Sequence, residues 1–135
     1  MTEHANAAGV RAAYAAYSSG DLAAVLDSFA PDAVFHVGGD GPMTGHHKGH
    51  EEIVAALTAS YQLTGGSQVF DLHHVYADDE YGVVHVRETA TRVSDGRTLD
   101  IDEVHLIVFA PDGRIADFRD LPADPARHDA FFDGR

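Results

Sequence analysis

Ten histidines stand in a chain of 135 residues that contains no cysteine. With an ordinary pKa of about 6.5, an imidazole gives or takes a proton near neutral pH, and its neutral form binds metals. A carboxylate within hydrogen-bond reach fixes the tautomer and favours the charged ring. Such a pair in an apolar cavity suits proton abstraction next to a carbonyl, as in an aldol-type ring closure or a double-bond shift. The histidines are spread along the chain rather than gathered as a tag. His36 falls on one strand-like stretch, His73 and His74 on another, and His46, His47 and His50 follow a glycine-rich segment near Asp40. This last group is not a metal motif with built-in geometry. HExxH works because both imidazoles share one helix face, whereas His46 and His47 are adjacent in a loop and diverge. A metal needs three or more converging ligands, so no metal site is expected, and no cofactor.

The elements that must hold these groups are read from hydrophobic period. An Ala-rich run over about 6–18 places Val10, Tyr14 and Tyr17 on one helical stripe, ended by Ser19-Gly20. Asp21 caps a short second helix, whose Leu22, Val25, Leu26 and Phe29 form an apolar face. Pro31-Asp32 ends it, and Ala33 to Val37 reads as a strand on which His36 shares a face with Val34, directed either to a cavity or to the convex surface. Gly38 to Gly49 reads as loop, and His50 to about Tyr61 as a third helix with Ile53, Val54 and Leu57 buried. Strands then follow over about 68–76, 81–93, 97–109 and 114–120, with hairpin turns at Asp95-Gly96 and Pro111–Gly113. By strict alternation Val69, Asp71, His73 and Val75 share one face of the first of these, and Phe70, Leu72, His74 and Tyr76 the other. Residues 124–132 read as a short terminal helix anchored by Phe131 and Phe132.

Three helices followed by long strands is an α+β order, in which a curved antiparallel sheet is part-closed by helices and leaves a pocket within. The chain is one domain, with a core over about 6–120 and a tail over 121–135. The formal net charge of −13 argues against nucleic acid and anionic membranes, which need a cationic footprint. No apolar run has membrane-spanning length, no signal segment opens the chain, and the lack of cysteine fits a cytoplasmic location.

Four pieces in order carry a family resemblance: Tyr17-x-x-Gly20-Asp21-Leu22, Phe29-Ala30-Pro31-Asp32-Ala33, Gly45-x-x-x-Gly49-x-Glu51-x-Ile53 and Phe109-x-x-x-Gly113-Arg114-Ile115. The chain resembles the nuclear transport factor 2-like superfamily, and within it the SnoaL-like and ketosteroid-isomerase-like members. The resemblance implies the cone-shaped, cystatin-like fold, with three N-terminal helices on a strongly curved antiparallel sheet. It does not fix the activity, because the fold hosts enzymes, binders and adaptors. In ketosteroid isomerase the register of the general base falls on Val37, that of the oxyanion tyrosine near Ala13, one residue before Tyr14, and that of the protonated aspartate on His105. Base and tyrosine are missing in register, so steroid isomerisation is not expected.

SnoaL-like cyclases use a histidine and an aspartate on the last two long strands, and His105 and Asp120 occupy comparable places. The resemblance therefore implies His105 as proton shuttle and Asp120 as its partner or base. A register step of one residue would turn Arg119 inward instead. Glu88, Glu103, Ile107, Phe118 and Val37 are the further pocket candidates. Tyr14 and Tyr17 are either donors to a substrate oxygen or core tyrosines at helical spacing. The expected function is a cofactor-free cyclase or isomerase acting on a hydrophobic carbonyl metabolite. The alternative is a non-catalytic ligand-binding or dimerisation module. A hydrolase resembling limonene-epoxide hydrolase would need Arg87 or Arg119 to point inward. Family members commonly dimerise through the open sheet face, so a homodimer is expected.

Overall fold

Helix α1 (Ala5–Ser18) begins where His4 caps it, its Nδ1 accepting the Asn6 N–H at 3.0 Å. It ends at Gly20, whose φ of 77° suits a residue without Cβ. Asp21 caps α2 (Leu22–Asp27) by accepting from the Ala24 N–H at 3.1 Å. The structure is a computed structural model that describes residues 3–39 and 44–133; Asp40 lies outside them.

Strand β1 (Phe29–Val37) starts earlier than the Pro31-Asp32 break suggests. The pairing slips between Phe29 and Val34, so Pro31 sits in an irregular stretch where its missing N–H breaks no regular ladder. The next correction concerns the glycine-rich segment. Gly45–Lys48 is not loop but a short strand, β2, paired antiparallel with β1. Gly45 at φ 142° opens it and Gly49 at φ 82° follows it, and both conformations favour glycine. Helix α3 (Gly49–Thr64) follows, then β3 (Val69–Ala77), β4 (Tyr81–Thr91), β5 (Thr98–Phe109), β6 (Ile115–Pro122) and α4 (Pro125–Phe132).

The sheet order is β2-β1-β6-β5-β4-β3. Its pairings are antiparallel except β1–β6, which is parallel and joins the first strand to the last. Strict alternation fails on β3. The pairing slips between Leu72 and His74, with the extra residue at His73. That bulge resets the faces, so Phe70, Leu72, Val75 and Ala77 all pack on the core, while His73, His74 and Tyr76 are exposed.

Helices α1 and α3 pack on β3 and β1 respectively, with α2 between them, over a core that includes Val10, Tyr17, Ile53, Val84, Val86, Ile107 and Phe118. A second apolar cluster joins Ala90, Leu99 and Ile101 of β4 and β5 to Phe131 and Phe132 of α4. The segment read as a tail thus lies against the sheet. Asp124 caps α4 by accepting from the Arg127 N–H, and Pro125 stands in its first turn. At the other end Arg92, 2% exposed, donates to the carbonyls of Phe131 and Asp133, and Arg97 donates to that of Ala130. Two cations on the last carbonyls of a helix suit its dipole. Among the described residues no helix is long and apolar enough to cross a membrane.

Candidate active site

The inward face of β5 carries Leu99, Ile101, Glu103, His105 and Ile107, and all are buried. One acid and one imidazole therefore stand in a row of hydrocarbon. Their neighbours show why this is tolerated. His105 lies directly opposite Asp120 on β6 and opposite Val84 on β4, and Glu103 lies opposite Val86. Glu88 is two residues beyond Val86 on the same face of β4. Asp120 is inward and Arg119 outward, where Arg119 bonds Asp117 at 3.2 Å. Arg87 is outward too, in a bidentate pair with Asp100. Neither arginine reaches the cavity, so the hydrolase arrangement is not formed.

His105 Nε2 is 3.3 Å from Asp120 Oδ1, but its hydrogen bond runs to Glu103 Oε1 at 3.0 Å. Asp120, expected as the imidazole's partner or base, stands beside the ring at ion-pair distance, and Glu103 shares the same nitrogen. Nδ1 of the same ring is joined to the Tyr14 hydroxyl. Both ring nitrogens are thus engaged, and Phe118 and Phe70 crowd the ring with centroids at 4.9 and 5.7 Å. His128 of α4 reaches into the same cluster. Its Nε2 lies 3.6 Å from Glu103 Oε2, 3.6 Å from Asp120 Oδ2 and 3.9 Å from Glu88 Oε1.

A polar chain backs Glu88. The Tyr17 hydroxyl and the Ser60 hydroxyl both donate to Gln68 Oε1, and Gln68 Nε2 donates to Glu88 Oε2. Two donors on the oxygen fix the amide so that its nitrogen faces the acid. Among the described residues, three buried acceptor atoms remain without a hydrogen-bond partner: Glu88 Oε1, Glu103 Oε2 and Asp120 Oδ1.

Electrostatics follow from this crowding. Burial and the neighbouring Glu103 push the Glu88 carboxyl well above its ordinary range. Glu103 is raised to about 8 by burial and by the nearby Asp120. Burial works against a charged imidazole, yet Tyr14 and Asp120 hold His105 up at about 10. Burial also works against a charged Asp120, but His105 and then His128 bring it below the usual carboxylate value. The site holds a charged imidazole and a charged Asp120 side by side, with the glutamates behind them favouring the protonated form.

These groups close one end of a cavity of about 100 Å³. Tyr14, Tyr17, Val37, Glu88, His105, Phe118 and Asp120 are all in its wall. Glu103 stands behind His105 rather than in the wall. Ile107 is a correction: it shares the face of His105 but is buried away from the cavity. Gly82 sits opposite it on β4, and the space a Cβ would occupy there is taken by Phe109 at 3.0 Å and Ile107 at 3.5 Å. The histidines of the glycine-rich segment do not converge. His46 meets His36 on the outer face, where His36 also bonds Asp117 at 2.7 Å, whereas His50 Nε2 bonds the Phe29 carbonyl at 2.9 Å. His128, Gln68 and Ser60 are the site residues that sequence reading missed. His128 had a signal: Asp124-Pro125 marks a helix start, and the histidine lies on the face shared by Phe131 and Phe132.

Tyr17 carries a pH prediction. Burial lifts its phenol to about 12, against 10.0 when free. The folded pKa is raised, so the stabilisation is complete below pH 10 and is lost as pH rises towards 12. Each proton the native chain retains tilts stability by about 1.4 kcal/mol per pH unit in this window. Urea midpoints of the wild type should fall more steeply with pH than those of Tyr17→Phe; parallel curves would contradict the assignment.

The SnoaL-like domain family matches residues 10–118. An uncharacterized protein of Mycobacterium tuberculosis is 33% identical over 133 residues, which is 98% of this chain and 99% of that protein. Bal32a, from a soil-derived mobile gene cassette, is 34% identical with a TM-score of 0.87, over 94% of this chain and 95% of its own. A Xanthomonas campestris protein of unknown function with a cystatin-like fold is 22% identical with a TM-score of 0.86, over 95% and 98% of the two chains.

Proposed function

Because the chain belongs to the SnoaL-like family of the nuclear transport factor 2-like superfamily, we propose that it is an isomerase or cyclase that abstracts a proton next to a carbonyl of a small apolar metabolite. The observation that carries this reading is the position of Asp120. Asp120 is in the wall of an apolar cavity, and its buried Oδ1 has no hydrogen-bond partner and stands 3.3 Å from an imidazole already held by Glu103. In the proposed reaction Asp120 takes the proton from the carbon. His105 donates Nε2–H to Glu103 and Nδ1–H to the Tyr14 oxygen, which frees the Tyr14 hydrogen for the substrate's carbonyl oxygen. The charge that develops there as the proton leaves is met by a donor already in place. His105 acts as a positioning residue for Tyr14 and Asp120. The cavity's size bounds the ligand. An engineered cavity of about 150 Å³ accepts benzene, so this one, at about 100 Å³, encloses no more than about one ring.

The test is exchange of α-protons for deuterium in small aryl ketones, acetophenone first, followed by proton NMR in deuterium oxide. Catalysed exchange supports the reading. A ketone that binds in the cavity and exchanges at the uncatalysed rate favours the simple ligand-binding alternative.

For assembly, we propose a homodimer through the outer face of the sheet. Tyr76, Val83 and Leu106 lie side by side across β3, β4 and β5, with Tyr81 and Val108 beside them, and each is between 38% and 64% exposed. A contiguous apolar row of this kind is unusual on a surface that stays in water. Sedimentation should give a dimer for the wild type and a monomer for Leu106→Asp; a monomeric wild type would overturn this.

A further inference from the structure

The proposed reaction leaves Glu88, Glu103 and His128 with unexplained atoms. Glu88 and Glu103 are 1% exposed and His128 is 4% exposed. Glu88 Oε1 and Glu103 Oε2 have no hydrogen-bond partner, although each could accept one. Both face His128 Nε2, at 3.9 and 3.6 Å, too far for a hydrogen bond. Among the described residues, the ion-pair partners of these two glutamates are imidazoles only, with no lysine or arginine. So three ligand atoms from three elements converge within 4.8 Å of one another. We infer that Glu88 Oε1, Glu103 Oε2 and His128 Nε2 form a site for a divalent transition-metal ion.

The spacing is what such an ion requires. Ligand atoms bound at about 2.1 Å in a tetrahedron stand roughly 3.4 Å apart. The observed separations of 3.6 and 3.9 Å close to that value with shifts of a few tenths of an ångström. Asp120, in the cavity wall, has its Oδ2 3.6 Å from the same nitrogen and is placed to supply a fourth ligand. Two carboxylates and one imidazole suit zinc, manganese or iron rather than a soft copper(I) ion. The other candidate grouping, Glu103 with His105 and Asp120, is weaker, because both nitrogens of His105 already have partners.

The ligands are held from outside as well. Gln68 fixes Glu88 through its other oxygen, His105 fixes Glu103 through its other oxygen, and Arg92 anchors the C-terminal end of α4, the helix that carries His128. Partners of this kind set the orientation of metal ligands. The inference does not depend on the proposed reaction, whose groups are Asp120, Tyr14 and His105.

The test is calorimetric titration of zinc alone into the full-length, untagged protein, after dialysis against chelator. One ion per chain is expected, with affinity falling at least tenfold in Glu88→Gln and in His128→Gln, given that even outer partners change affinity by about 10–100-fold. The exposed His36–His46 pair is the competing zinc site, so His46→Ala must keep the tight event. Circular dichroism confirms folding of each variant, and loss of binding in either folded ligand variant is sufficient support. The inference is overturned if zinc does not bind stoichiometrically, if both ligand variants bind as the wild type does, or if only His46→Ala loses binding.

Discussion

Asp120→Asn lowers the rate of α-proton exchange by about 10²–10⁴-fold, the usual contribution of a positioned general base. The asparagine keeps the size of the side chain, so the β5–β6 ladder and the cavity wall are unchanged. It cannot take a proton, and its amide nitrogen puts a donor beside an imidazole that is itself a donor. Ketone affinity should change little, because the wall that meets the ligand is mostly Val37, Phe35, Phe70 and Phe118. Tyr14→Phe gives the companion result. Losing one donor to a developing oxyanion costs about 10²–10³ in rate, again with little change in affinity. Rates and affinities of the three proteins, measured on the same ketone, separate chemistry from binding. If Asp120→Asn were to lose binding and rate together, the aspartate would be a ligand-holding group and not the base.

Phe131→Ala should lower unfolding free energy by about 3–5 kcal/mol, the range for a fully buried phenylalanine. Phe131 is 1% exposed and packs edge-on against Phe132, with ring centroids 5.0 Å apart. It joins Ala90, Leu99 and Ile101 in the core cluster that fastens α4 to the sheet. The effect reaches the site, because α4 also carries His128 and Phe132, both in the cavity wall. Urea denaturation by circular dichroism measures the loss, read as a drop in midpoint at constant slope. A loss below about 1 kcal/mol, the range of surface substitutions, would mean that α4 is a loosely attached tail.

Much of the fold was legible because local signals agreed. Helical stripes, the Asp21 cap and the turn residues at Asp95-Gly96 and Pro111–Gly113 all pointed to the same elements. That His105 and the end of β6 come together was legible from the hairpin, but the choice between Arg119 and Asp120 was not, because an irregularity between Val108 and Phe109 shifts the register by one residue and sets Asp120 opposite His105. Other features were set by contacts distant in sequence. Nothing local in Gly45–Lys48 marks a strand; β1 supplies its hydrogen bonds. The bulge at His73 adds one residue to β3 and moves Val75 to the core face, which a period of two cannot foresee. His128 was missed because the fold-back of α4 onto β4 and β5, whose Glu88 and Glu103 it faces, is set by contacts distant in sequence. Glu103 was seen as a pocket group, but not as the acceptor that holds His105, since two residues apart on one strand face does not reveal where a proton points.

In the proposed reaction the acid on β6 removes a carbon-bound proton inside the cavity. The direct measurement is the rate at which a ketone seen by NMR to occupy that cavity exchanges its α-hydrogens for deuterium, in wild type and in Asp120→Asn. Fast exchange with the wild type, and a rate at least a hundredfold slower in a variant that still binds, is the result expected from general-base catalysis. Equal rates in the two proteins, or no acceleration by the wild type over buffer, would contradict it.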